Sequence, residues 1–245
     1  DIHLSTQANT TNYKAVNFWK SLGVKRIILA RELSYEEIVE IKNKTEMELE
    51  IFAHGAMCMS YSGRCLISNF LTGRGANQGD CTHSCRWNYS LVEETRQGEF
   101  FPVEEDGRGT YFFNSKDLCL IEYIPQIIES GIMGIKIEGR NKGVSYVGMV
   151  IRAYRQTIDN YYKDKSNYKF DVRFLDDLQK VNNRNYTTGF FIGKPAKEAQ
   201  NYIKGSFTKD AEFLGIVNSI IDDKCLIDIR GKFSVGETIQ VIGKK

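Results

Sequence analysis

The sequence predicts an α/β protein: a partial β/α (TIM-like) barrel that lacks its N-terminal units, followed by a small antiparallel β module. Two observations lead to this fold class. In the first 160 residues, apolar extended segments alternate with helical patterns, which is typical of parallel β/α units. After about residue 205, apolar and polar residues alternate between short turns, which is typical of antiparallel strands. An open doubly wound sheet remains the alternative for the first part.

Local signals support the individual elements of the first part. The predicted strands cover residues 1–11, 24–34, 49–55, 110–118 and 132–140, and the predicted helices cover 14–23, 34–45, 120–131 and 141–163. Gly23 is expected to end the first helix, because glycine tolerates the left-handed conformation of a C-terminal cap. Ser34 and Glu37 have the spacing of a capping box, which predicts the start of the second helix.

The chain divides into three predicted regions. Residues 1–160 form the later β/α units of the barrel, with a Cys-rich insertion at 55–90. Residues 161–205 form a polar connector with a short helix near 174–184, and residues 206–245 form an incomplete barrel-like β module. Cys225 lies on an alternating strand of that module and is expected in its core.

Composition excludes several classes of protein. The 245 residues are 42% hydrophobic, enough for a substantial core, and the net charge is only +2. No run of 18 apolar residues predicts a membrane helix. No GxGxxG, GxSxG or HExxH motif is present, so a dinucleotide fold, a serine hydrolase with a nucleophile elbow and a zinc protease have no support. A reducing cytoplasm is the expected location.

Four cysteines within 28 residues are the strongest chemical signal: Cys58, Cys65, Cys81 and Cys85. Clustered thiols in a reducing compartment usually bind a metal or a cluster. An iron–sulfur cluster on four thiolates is the favoured interpretation, with a [4Fe–4S] cluster as the expected type. Zinc in a Cys₄ site is the direct alternative, and free thiols or disulfides remain a third. Cys119 could replace Cys85 as the fourth ligand or be a small buried hydrophobic residue.

Polar residues recur where the predicted strands end: Gln7, Asn9, Arg31, Glu32, His54, Asn114, Asp117, Glu138 and Arg140. In a β/α barrel such positions converge on the C-terminal rim, where active sites are built. We therefore predict that Glu138 and Arg140 line a polar pocket beside the cysteines, with Arg140 holding an anionic group of the substrate. A structural Glu–Arg pair is the alternative. His54 is a candidate acid or base, or a structural histidine.

Several of these segments resemble the collagenase-like peptidase family U-32. The resemblance rests on residues 50–52, 54–58, 62–68, 77–81, 85–87, 114–118, 136–140, 183–184 and 186–190, in collinear order along nearly the whole chain. The paired-Cys segment is the longest and most specific of them. Family members are about one and a half times as long as this chain, so an N-terminal portion is expected to be missing.

The resemblance implies RNA hydroxylation more strongly than proteolysis. The family's better-understood members make 5-hydroxyuridine at the wobble position of tRNA or act on ribosomal RNA, and several carry an iron–sulfur cluster on four cysteines. This chain looks most like the tRNA uridine hydroxylation branch. A peptidase with an unassigned nucleophile is the alternative function, and a zinc-stabilised binding module is a second alternative. Expected partners are tRNA or another structured RNA and a partner subunit of the same family.

The Cys-bearing segment also carries candidate RNA contacts. Arg64, Arg74, Arg86 and Trp87 lie on it, with further aromatic residues between them. Arginine can bind phosphate in a bidentate manner, and aromatic rings stack on unpaired bases. The alternative is that the arginines are merely solvated and the aromatic rings belong to the core.

Overall fold

The computed structural model describes residues 1–58, 60–87, 89–91, 101–102, 115–194, 211–222 and 224–243. The chain divides into two compact units. The first unit consists of Asp1–Glu138 and Arg184–Phe207, and the second consists of Gly139–Asn183 and Thr208–Lys245. The candidate site lies in the first unit.

Within the described residues, the first unit contains four α-helices and eight strands, besides short 3-10 helices. The helices are α1 (Tyr13–Ser21), α2 (Tyr35–Asn43), α3 (Ile67–Thr72) and α4 (Ile124–Glu129). The strands are β1 (His3–Leu4), β2 (Arg26–Ile28), β3 (Glu48–Ala56), β4 (Ser90–Leu91), β5 (Phe101–Pro102), β6 (Asp117–Cys119), β7 (Gly134–Ile137) and β8 (Tyr186–Thr187). In the second unit, α5 (Val144–Lys163), α6 (Arg173–Gln179), β9 (Gly215–Ile221) and β10 (Lys224–Ile229) are described.

Four strands of the first unit form a parallel sheet in the order β1-β2-β3-β7. The parallel α/β arrangement predicted from the sequence is thus confirmed. Each strand lies beside the strand before it in this order. Helix α1 packs against α2, and the Tyr35 hydroxyl of α2 donates to the Gln126 carbonyl of α4 at 3.3 Å, so the three helices are neighbours. This order is compatible with consecutive barrel strands. The described strands do not close into a barrel, so the barrel itself stays a prediction.

The predicted fourth parallel strand is wrong. Of residues 110–118, the rim candidate Asn114 and its predecessors lie outside the described residues, and the observed strand β6 begins at Asp117. β6 runs antiparallel to the end of β3, with Ala56 opposite Asp117, and β8 pairs with β6. A parallel strand after β3 would require a crossover that returns the chain to the end of the sheet at which β3 begins. The chain after β3 instead forms the Cys-rich segment and re-enters the sheet at the end where β3 stops, so β6 runs in the opposite direction.

Caps and apolar burial explain the helices. The predicted capping box is confirmed, since the Ser34 side chain accepts from the Glu37 N–H and the Glu37 carboxylate accepts from the Ser34 N–H. Gly23 follows α1 with a φ of 88°, as its cap position predicts. The core of this unit is built from buried aliphatic side chains on the helices and strands, among them Val16, Ile27, Ile38, Leu49 and Ile124. Burying such side chains is the main driving force that holds the helices on the sheet.

In the second unit, the antiparallel pairing predicted for the C-terminal module is confirmed by β9 and β10. A barrel or sandwich built on this hairpin remains a prediction. Cys225 is exposed on β10, so its predicted core position is wrong. The alternating pattern was correct for a strand, but no second layer covers this residue among the described residues.

No helix in the described parts of the chain is long and apolar enough to cross a membrane.

Candidate functional site

The cysteine-rich segment, residues 57–87, begins where β3 ends and lies over the ends of β1 and β2. We call it the Cys loop; Met59 within it is not described. The Gln7 side chain holds the loop at two points: its Oε1 accepts from the Gly63 N–H at 2.8 Å, and its Nε2 donates to the Ala76 carbonyl at 3.1 Å. Gly63 has a φ of 73°, and an added Cβ would lie 2.0 Å from the Gln7 carbonyl oxygen. The close approach of the two backbones therefore requires glycine.

A second clamp comes from the end of β2. The Glu32 carboxylate accepts hydrogen bonds from the Ser62 N–H at 2.7 Å and from the Ser62 hydroxyl at 3.1 Å. Thr6 is buried beside it and donates to the Leu29 carbonyl at 3.0 Å. Gln7 and Glu32 were singled out in the sequence as polar strand-end residues. Their observed role is to fix the Cys loop to the sheet.

The two Cys-bearing parts of the loop are tied to each other. The Asn77 side chain binds both backbone groups of Cys65: its Oδ1 accepts from the Cys65 N–H and its Nδ2 donates to the Cys65 carbonyl, each at 2.9 Å. The Thr82 N–H donates to the Ser68 hydroxyl at 3.2 Å. These bonds hold the backbone of Cys65 against the segment that leads to Cys81.

The buried Arg86 side chain, at the end of the Cys loop, binds both Asp117 on β6 and the backbone at the start of the loop. Arg86 Nη1 lies 2.9 Å from Asp117 Oδ1, and the two side chains are 3% and 0% exposed. Arg86 Nη2 donates to the Met57 carbonyl at 2.8 Å, and the Ser115 hydroxyl donates to the same carbonyl at 3.1 Å. Arg184 is also buried next to this pair, and burial together with repulsion from Arg86 lowers its pKa to about 10.

The four thiols are free and lie within electrostatic range of one another. Cys65 is buried, and Cys58, Cys81 and Cys85 are half-buried. The pKa of Cys81 is raised, chiefly by burial and further by the nearby Cys58 and Cys65 thiols. The hydrogen bond that the His83 N–H donates to the Cys81 Sγ at 3.3 Å opposes this shift. The pKa of Cys85 is raised to about 11, chiefly by burial; the adjacent Arg86 lowers it, and the other three thiols raise it. Each thiol thus opposes ionisation of its neighbours unless a cation compensates the charge.

The chemistry of this donor set fits an iron–sulfur cluster. Clusters are held by Cys thiolates and tuned by hydrogen bonds to sulfur, such as the one from the His83 N–H to Cys81. By ligand type the set also fits zinc. Within the described residues, no three His, Cys, Asp or Glu side chains have the arrangement of a metal-ion site. The four thiols are thus linked by charge interactions, and the described residues do not have the geometry of a closed metal centre.

The other predicted site residues are distributed as follows. Glu138 follows β7, and its carboxylate accepts from the Ala56 N–H at 3.3 Å. Burial is the chief cause that raises the pKa of Cys81 and lowers the pKa of His83, and the negative charge of Glu138 adds to the first shift and opposes the second. Arg140 is exposed and belongs to the second unit. His54 is fully buried on β3, with its ring 5.2 Å from the ring of Tyr186. Cys119 is buried on β6, opposite His54 in the register. The charge of Glu138 therefore acts on the Cys loop.

The four predicted RNA contacts differ in accessibility. Arg64 and Arg74 are exposed, although Arg74 is paired with Asp80. Trp87 is half exposed, at 49%. Arg86 is buried and bound to Asp117, so it has no exposed guanidinium to offer to an RNA phosphate. Three further apolar side chains stand out from the same loop: Tyr61, Leu66 and Phe70, at 69%, 76% and 86% exposure.

Some residues of the site escaped prediction from the sequence alone. Asn77 and Arg184 were visible only as parts of the family-like segments, and Ser84 was not singled out. The Ser84 hydroxyl, between Cys81 and Cys85, is buried and has no hydrogen-bond partner among the described residues. A buried polar atom without a partner is unusual and marks a place where a ligand or water could bind.

Comparison with known proteins identifies the family. The model of peptidase family U32 matches residues 1–201. The tRNA hydroxylation protein P1 of Bacillus subtilis is 41% identical over 99% of this chain and 58% of its own length. The tRNA hydroxylation protein P of Escherichia coli is 36% identical over 98% of this chain and 62% of its own length. A 23S rRNA 5-hydroxycytidine synthase of Escherichia coli is 35% identical over 78% of this chain and 29% of its own length.

No solved structure matches the chain. The chain spans about three fifths of the length of the two tRNA hydroxylation proteins, which are 58% and 62% covered. The family model and the two matches, which extend over almost all of this chain, include the Cys loop and the strand ends that hold it. The chain therefore belongs to peptidase family U32, as its motifs predicted.

Proposed function

We propose that this chain is part of an RNA-hydroxylating protein that makes 5-hydroxyuridine at the wobble position of tRNA in the cytoplasm. The observation that carries the proposal is the set of four free thiols on the Cys loop, whose charges act on one another. The names of the tRNA and rRNA hydroxylation relatives support RNA as the substrate class.

In this proposal Cys58, Cys65, Cys81 and Cys85 hold an iron–sulfur cluster. Such a cluster supplies one-electron transfer when it is bound. Other residues of the Cys loop position these ligands: Asn77 fixes the backbone of Cys65, and the His83 N–H donates to the sulfur of Cys81. The partial burial of all four thiols limits the access of water to the sulfurs.

The alternative activity, proteolysis, is less well supported. A cysteine nucleophile reacts as the thiolate, which requires a lowered pKa. Burial raises the pKa values of Cys81 and Cys85 instead. The contact between His83 and Cys81 is made by the backbone N–H of His83, so it does not place an imidazole base against that thiol.

We further propose that the exposed surface of the Cys loop binds unpaired RNA. Tyr61, Phe70 and Trp87 present aromatic rings to solvent, and Arg64 adds an exposed positive charge. Asp80 is the one acidic residue in this loop, and it is paired with Arg74. Exposed rings beside an exposed arginine are the chemistry by which proteins stack and hold single-stranded nucleotides.

Removal of two of these rings should weaken RNA binding. A Phe70→Ala/Trp87→Ala variant is expected to lose about 1–3 kcal/mol of RNA-binding free energy for each base that is no longer stacked. Binding is measured by titration of a fluorescent anticodon stem-loop at fixed salt. Phe18→Ala is the matched control, because Phe18 is 55% exposed on α1 and is not part of the Cys loop. Equal affinities of the double variant and the control would rule out the stacking surface.

Complementation tests the activity itself. In cells that lack their own tRNA hydroxylation protein, the wild-type protein should restore 5-hydroxyuridine in digested total tRNA, measured by mass spectrometry. Arg140→Ala is expected to lose most of that signal, because Arg140 is proposed to hold an anionic group of the substrate. Unchanged modification by a stably folded Arg140→Ala variant would show that Arg140 holds no group of the substrate. No 5-hydroxyuridine with the wild-type protein would refute the proposed reaction.

A further inference from the structure

One arginine of the Cys loop bridges two points of the chain that are far apart in sequence. Arg86 directly follows Cys85, and Met57 directly precedes Cys58. The guanidinium of Arg86 binds the Met57 carbonyl through Nη2 and the Asp117 carboxylate through Nη1, at 2.8 and 2.9 Å. The backbone beside the first cysteine is thereby joined to the backbone beside the last one.

The surroundings make this bridge rigid. Asp117 is fully buried on β6, and its own N–H donates to the Asn185 carbonyl at 2.9 Å. Asp117 also lies opposite Ala56 in the register between β3 and β6, so the carboxylate stands on a strand paired with the end of β3. A charged pair in such a place is held firmly, because loss of either partner leaves a buried charge without compensation.

We propose that Arg86 is a positioning residue that sets the distance between Cys58 and Cys85 before any group is bound. Its importance for a cluster rests on the proposed function, whereas its effect on the thiols does not. The planar fork of arginine is suited to this task, because it reaches a carboxylate and a carbonyl with two separate N–H groups in fixed directions. Lysine carries the same charge on a single nitrogen and cannot reproduce that geometry.

The test measures thiol proximity in the metal-free protein. In a Cys65→Ser/Cys81→Ser background, dibromobimane becomes fluorescent when it alkylates both remaining thiols of the Cys loop, and peptide mapping identifies the bridge between Cys58 and Cys85. Arg86→Lys keeps the charge opposite Asp117 and should lower the bridging rate about tenfold through a lower effective concentration. Arg74→Met, at an exposed arginine of the same loop, should leave the rate unchanged.

A second variant separates positioning from folding. Arg86→Met/Asp117→Leu replaces the buried pair by apolar residues, which proteins often tolerate. It should bridge as slowly as Arg86→Lys, and its melting temperature is measured beside that of the parent to establish that it is folded. A folded Arg86→Lys or double variant that bridges at the parental rate would overturn the positioning role. Because neither RNA nor iron enters this assay, slow bridging supports the role of Arg86 even in a protein that proves to bind no cluster.

Discussion

A Gly55→Ala variant is expected to lose about 3 kcal/mol or more of unfolding free energy, because the alanine side chain has no room. Gly55 lies near the end of β3 with a φ of 107°, a conformation that side chains with a Cβ rarely adopt. An added Cβ would lie 2.2 Å from the Glu138 carbonyl oxygen. Relief of that overlap must push β3 and the end of β7 apart at the point where Glu138 faces the Cys loop.

Gly23→Ala is the matched control for backbone conformation. Gly23 has a φ of 88° and nothing within 4 Å of an added Cβ, so only the conformational cost of about 1–2 kcal/mol applies. Urea unfolding followed by circular dichroism gives both values. If the two variants lose the same stability, the close contact between Gly55 and Glu138 is not present in the folded protein.

The second large effect is expected at the cysteines. Cys85→Ser should abolish 5-hydroxyuridine formation in the complementation assay and strip the purified protein of most of its iron, because a hydroxyl replaces a thiolate ligand. Cys225→Ser is the control: Cys225 is an exposed free thiol on β10. Iron content and nucleoside analysis are measured on the same preparations. Full activity in Cys85→Ser would exclude Cys85 from the ligand set and leave Cys119 as its candidate replacement.

The sequence predicted those features that depend on residues close together in the chain. The capping box at Ser34 and Glu37 needs two residues three positions apart, and Gly23 ends α1 through its own backbone. The alternation of strands and helices likewise indicated the parallel sheet. Grouping of the cysteines was also visible, since they lie within one short segment.

Features that depend on distant partners were not predictable in the same way. The direction of β6 is set by the path of the chain after β3, which no local pattern records. Arg86 has the sequence surroundings of a surface residue, and only Asp117, 31 positions away, makes it a buried one. The hold of Asn77 on Cys65 similarly joins residues 12 positions apart. Exposure of Cys225 depends on what packs over the β9–β10 hairpin, and the alternating pattern gives no information about that.

We propose that the four cysteines of the Cys loop hold an iron–sulfur cluster. The most direct measurement is the iron and acid-labile sulfide content of the anaerobically purified wild-type protein, together with its visible absorption spectrum. We expect about four irons and four sulfides per chain and a broad charge-transfer shoulder that bleaches with dithionite, as for a [4Fe–4S] cluster. Stoichiometric zinc without sulfide, or four reduced thiols that bind no iron during anaerobic reconstitution, would contradict it.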